Sequence, residues 1–172
     1  QAEADMDNLR AAFTWSQDRG EASRALQLAS ALQPIWKGRG QLCEGLAWYD
    51  AILDDDDISP AAIGQPVWTR AMADKAVLDS IIPVDSADRA DVAVETARHL
   101  SAPALLGRAL MARGFCAGYD METAAPYFAE AIEIVRETGD RWCLGEILGR
   151  EAYIAAMMGA PAAATVAEQG YE

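Results

Sequence analysis

The stretch LDDDDISP, residues 53–60, sets four carboxylates in a row, and carboxylates are what hard cations take as ligands. A calcium loop alternates its ligands, as D-x-[DN]-x-[DN]-G with a Glu at the twelfth position, so that the oxygens converge on one ion. Asp54, Asp55, Asp56 and Asp57 are consecutive, point in different directions, and have no such Gly or Glu in register. The run therefore reads as a solvated loop that supplies a helix N-cap, and its charge opposes extension of the preceding helix toward a negative C-terminal end. Softer ligands lack the parts as well. Cys43, Cys116 and Cys143 are widely spaced inside apolar helical patterns, no C-x-x-C occurs, and His99 is the sole histidine. Zinc and disulfide frameworks are both disfavoured, leaving buried reduced thiols and a cytoplasmic setting as the expectation. No metal and no cofactor is expected.

Catalytic chemistry finds little more support. His99 lies in TARHLSAP near a helix end, where it can meet the last carbonyls, and no serine or cysteine motif surrounds it. Acidic residues are abundant, but nothing in their spacing brings a pair together as acid and base. GRGQ (38–41) is the nearest thing to a phosphate-binding turn and reads better as a helix–helix turn. No G-x-x-x-x-G-K-[ST] is present, so P-loop nucleotide binding is not expected. The chain is expected not to be an enzyme.

Composition narrows the class further. The 172 residues are 52% hydrophobic, enough for a sizeable core, yet charged residues interrupt every apolar run before membrane-spanning length. Asp plus Glu number 27 against 14 Lys plus Arg, a net charge of −13, which disfavours direct contact with nucleic acid or an anionic membrane. The chain opens on QAEADMDN and stops at EQGYE, with neither an initiator Met nor a signal-peptide pattern, and is expected to be a piece of a longer protein.

The elements that would carry any site are helices. Leu9, Ala12, Phe13 and Ser16 follow i, i+3, i+4, i+7, and Ala25, Leu28, Ala29, Leu32, Ile35 and Trp36 repeat that stripe over three turns. No stretch alternates apolar and polar residues as a strand would. Breakers fall at Gly38-Arg39-Gly40, Asp57 to Pro60, Ile82 to Ser86, Gly118 to Asp120, Gly139-Asp140 and Gly159 to Pro161. They divide the chain into eight helices and the start of a ninth. The resulting expectation is one domain over 1–172, with a lead helix at 1–20 and helix pairs at 21–54, 60–99, 102–138 and 140–172. Ser86 or Asp85 can cap the helix after the Pro83 break. Trp15, Trp36, Trp48, Trp68 and Trp142 lie in or beside the apolar stripes. Trp48 and Tyr49, like Tyr127 and Phe128, are 100° apart on a helix, so one of each pair is expected partly exposed.

Small and aromatic residues recur at matching places in these pairs. Ala112 and Phe115 precede a turn, and Ala124, Phe128 and Ala131 follow it. Ala152, Gly159 and Ala164 repeat Ala112, Tyr119 and Ala124 at a displacement of 40, while Trp36, Gly40, Gly45, Tyr49 and Ile52 follow the same template upstream. Small residues at crossing points let backbones approach, and a ring fills the space between pairs, which is how stacked helical repeats pack. The pattern resembles the tetratricopeptide repeat (TPR), with residues 105–138 matching best. The spacing is nearer 40 than that family's 34, and ETGD at 137–140 stands where its Pro usually ends a repeat. The resemblance implies an all-α fold of antiparallel helix pairs stacked as a TPR-like right-handed solenoid.

A second resemblance covers the first third closely. DNLRAAFTW, followed by RG at 39–40 and EG at 44–45, is similar to the segment after the nucleotide-binding module in large actinobacterial LuxR-type and related signal-transduction ATPases. It implies a longer cytoplasmic regulator with an ATPase module before this segment and a helix-turn-helix DNA-binding domain after it. The segment's own role would be a non-catalytic sensor or scaffold contacting protein, neighbouring domains of the same polypeptide, or a small effector. A free-standing TPR-like adaptor that binds a protein partner is the alternative. In the repeat register the concave face would present Gln27, Ser30, Lys37, Lys75, Asp79, Arg113, Cys116 and Tyr153, a mildly basic strip suited to an extended peptide or a small acidic ligand.

Overall fold

The computed structural model describes residues 5–82 and 84–158, and among these every regular element is a helix. In chain order they are α1 (Met6–Asp18), α2 (Ala22–Arg39), α3 (Leu42–Leu53), α4 (Pro60–Ile63), α5 (Gln65–Asp79), α6 (Ala87–His99), α7 (Pro103–Cys116), α8 (Met121–Thr138) and α9 (Arg141–Met157). The expected ninth helix, together with Gly159 and Ala164, lies outside the described residues.

Local chemistry accounts for most boundaries. α2 and α8 stop at Gly40 and Gly139, both left-handed at φ 70° and 74°. In each case the next residue's amide reaches back to the same carbonyl, Gln41 N to Trp36 O and Asp140 N to Val135 O, both at 3.0 Å. Asp120 caps α8 by accepting from the amides of Glu122 and Thr123, and Asp140 caps α9 by accepting from Cys143 N. Before α6, Asp85 accepts from Ala87 N at 3.1 Å, while Ser86 turns its hydroxyl toward Cys116 instead. Of the two candidate caps, Asp85 makes the bond. One boundary differs from expectation. The single helix read from Pro60 onward is two, because Gly64 turns at φ 96° and Pro66, lacking an amide proton, sits in the first turn of a fresh helix.

Packing follows a simple rule. α2, α5, α7 and α9 lie side by side in chain order, and α3, α6 and α8 each pack against the two inner helices that flank them in sequence. Two layers result, with α1 laid against α2. The core divides into a cluster between α1 and α5 built on Leu26, Trp36, Trp48, Tyr49 and Ile52, and one between α5 and α9 built on Leu110, Met111, Phe115, Phe128 and Ile147. The Asp54–Asp57 run forms the exposed corner between α3 and α4, where Ser59 accepts from Ala62 N. Among the described residues no group of His, Cys, Asp and Glu is placed to hold a metal ion, and no helix is long and apolar enough to cross a membrane.

Glycine marks the tightest crossings. A methyl added at Gly45 would come within 2.6 Å of the Trp36 ring, and one at Gly107 within 2.7 Å of Val135. At Gly114 it would enter the ring of Phe128 itself. Phe128 is fully buried, flanked by the buried Ala124 and Ala131, and meets Phe115 edge-on at 5.9 Å. Ala112 is buried too, whereas Ala152 is only partly covered. Trp48 and Tyr49 are both buried, contrary to the expectation that one would be exposed. The reason is α1: Phe13 stacks on Trp48 at 4.0 Å and covers the side that Tyr49, edge-on to Trp36, leaves open.

Candidate functional site

The eight strip residues expected on one concave face are distributed over four places. Gln27 and Ser30 border a shallow recess with Pro66, Val67 and Arg70. Lys75 and Asp79 lie on the far side of α5, among Trp68, Ser86 and Arg89. There Lys75 is buried and bonded to Asp79 and to Asp50 of α3, at 3.1 and 3.0 Å. Arg113 turns outward between α6 and α8, with Nε donating to Asp91 at 2.6 Å and its guanidinium over Tyr127. Cys116 points toward Ser86 and the Ala76 carbonyl, and burial pushes its thiol above the ordinary range. Lys37 and Tyr153 alone meet, in a cleft between α2 and α9.

That cleft, about 250 Å³, is floored by Phe115 of α7 and closed on one side by Ser80 and Ile81 at the end of α5. Lys37 enters from α2 and is ion-paired with Glu146 of α9, a contact joining residues 109 apart in sequence. The Lys37 ammonium also lies 4.9 Å above the Phe115 ring. One helical turn beyond Glu146, Arg150 sets its guanidinium 5.4 Å from the same ring and donates from Nη2 to the Gly118 carbonyl. Its Nε is buried and has no protein partner. Burial, with the Arg150 charge nearby, pushes the Lys37 ammonium down to about 8. Tyr119 and Tyr153 stand exposed at the mouth with ring centres 6.3 Å apart, and their contact raises the Tyr153 phenol above its ordinary value.

A second polar locus sits at the other end of the inner helices. Asp74 is buried in α5 and accepts from Arg70 Nε at 2.6 Å, beside Ser30 and the buried Tyr49 hydroxyl. Its removal from water raises the Asp74 carboxyl above the usual range despite the arginine. Arg108 adds a pair with Asp140 at 2.9 Å and covers the Trp142 face. The two ion pairs belong to the packing of α2, α5, α7 and α9, while the buried Ser30 and Tyr49 hydroxyls beside them have no hydrogen-bond partner among the described residues.

Sequence reasoning missed Glu146 and Arg150, which complete the cleft. Their i, i+4 spacing on α9, each directly after a glycine (Gly145 and Gly149), is a signal, since glycines at i, i+4 leave the adjoining charged pair less screened by side chains. What could not be read was that α9 faces α2 at all.

The chain is similar to a segment of longer mycobacterial proteins. Relatives in Mycobacterium tuberculosis and Mycobacterium bovis, each named "Putative HTH-type transcriptional regulator", are 48% identical to it over 153 residues, or 86% of this chain. It spans 17% of the length of those relatives. No family model matches the chain, and no solved structure matches it.

Proposed function

We propose that this chain is a non-catalytic sensor or scaffold segment of an ATPase-linked, LuxR-type transcriptional regulator working in the cytoplasm. The carrying observation is the 48% identity, over 153 residues, to mycobacterial proteins named as HTH-type regulators. The two-layer stack, in which inner helices pack in chain order and outer helices bridge them, supports reading the fold as a TPR-like right-handed solenoid. Its partners are the neighbouring domains of one polypeptide, another protein, or a small effector received in the α2–α9 cleft. Such a stack bends as a unit, so a ligand that favours one curvature shifts the population of arrangements offered to an attached DNA-binding domain. Catalysis is assigned no residue: the carboxylates of Asp74, Asp79 and Asp140 are paired with Arg or Lys, the Asp54–Asp57 run is an exposed corner, and His99 bonds the Glu95 carbonyl at the end of α6.

The reading is tested in two assays. The chain alone, at net charge −13, should show no binding to duplex DNA at physiological salt by fluorescence anisotropy. In a mycobacterial relative, deleting the matching segment should alter reporter output while the remaining domains still bind their promoter. Tight DNA binding by this chain, or a reporter indifferent to the deletion, contradicts the assignment.

A further inference from the structure

The chain carries nearly two acidic residues for every basic one, yet the α2–α9 cleft inverts that ratio, with Lys37 and Arg150 facing the single carboxylate of Glu146. Two cations sharing one aromatic ring repel each other, and their partial burial makes the excess positive charge more costly than it would be in open water. Glu146 neutralises Lys37. Arg150 has no carboxylate partner among the described residues, and its Nε proton, buried at the edge of the cleft, is left without an acceptor. A guanidinium lining a cleft beside a second cation is the chemistry that receives a planar anion. Apart from Ser80, the remaining side-chain walls, Phe115, Ile81 and the ring of Tyr153, are apolar and set the character of whatever the anion is attached to.

We propose that the cleft binds a small organic carboxylate, with its anionic head between Lys37 and Arg150 and its apolar body against Phe115 and Ile81. The head takes the place of the Glu146 carboxylate on Lys37. Because Glu146 is the contact from α9 to Lys37 of α2, an occupied cleft has a different link between those helices from an empty one. A volume of about 250 Å³ limits the guest to a molecule of roughly a dozen heavy atoms. The inference rests on the regulatory reading for its purpose, but not for its test, which needs neither promoter nor flanking domain.

The probe is phenylacetate, with the neutral phenylacetamide as control, titrated into the ¹⁵N-labelled chain by NMR. Phenylacetate should shift Lys37, Phe115 and Arg150 signals saturably, and phenylacetamide should bind at least about tenfold more weakly, the value of one charge-assisted hydrogen bond. E146Q, which removes the competing carboxylate, should tighten phenylacetate several-fold, and R150M should weaken it at least about tenfold. If R150M loses its folded spectrum, K37M gives the same reading. Equal binding of acid and amide, affinity unmoved by both E146Q and R150M, or no saturable shift even in E146Q overturns the proposal. A carboxylate that binds only as the C-terminus of a peptide overturns it in favour of a protein partner.

Discussion

Single residues in this chain are constrained mainly by space. Phe128 occupies the place where a side chain at Gly114 would go, and Phe128 is itself fully buried, flanked by the buried Ala124 and Ala131 and edge-on to Phe115. Gly114→Ala should therefore lower the stability of the chain by about 1–3 kcal/mol, in spite of alanine's better helix preference. Gly38→Ala, in α2 with open space around it, should raise stability by about 0.5 kcal/mol. Urea denaturation of both variants checks the pair; equal effects would mean that crowding at Gly114 is relieved by movement. Thiols follow the same logic of burial. Cys43 is exposed, whereas burial beside Asp140 pushes the Cys143 thiol up to about 12. Native alkylation at pH 8 should modify Cys43 and leave Cys143 intact by mass spectrometry, since the thiolate is the reactive form. Rapid labelling of Cys143 would show that α7 and α9 separate readily.

At the scale of elements, helix ends are decided by short-range chemistry and helix neighbours are not. Asp120 accepts from the hydroxyl and amide of Thr123 and the amide of Glu122, and these bonds hold its carboxyl below the usual carboxylate range. A carboxyl depressed in the folded state contributes stability above its unfolded pKa, and loses it as pH falls through the folded value. Asp120→Ala should lower the melting temperature at pH 7, with the gap to the parent narrowing near pH 3. A gap independent of pH would assign the effect to something other than the cap. This same locality explains what was legible in the sequence. The turns at Gly40, Asp120 and Gly139 and the periodic stripes of α1, α2 and α8 announce themselves through residues close in the chain. The split at Gly64 was hidden because Pro66 is as compatible with a first turn as Pro60. The groove was only partly legible. A repeat register assigns faces from an ideal helix, whereas in the structure Arg113 faces α6 and α8, Cys116 faces α5 and the start of α6, and Lys75 and Asp79 lie against α3 and α6.

Across the whole molecule, one contact carries information that no neighbouring pair of elements contains. Helices α2, α5, α7 and α9 pack in sequence, and the row curves until Lys37 at the end of α2 reaches Glu146 in α9. The cleft, its excess positive charge and the sensor reading all depend on that curvature. A double-mutant cycle in which K37M, E146Q and the double variant are unfolded in urea measures the contact directly. The account predicts about 0.5–3 kcal/mol of interaction energy between two residues 109 apart in sequence. Additivity of the two substitutions within about 0.3 kcal/mol would contradict it, because α2 and α9 would then not meet across the cleft in solution.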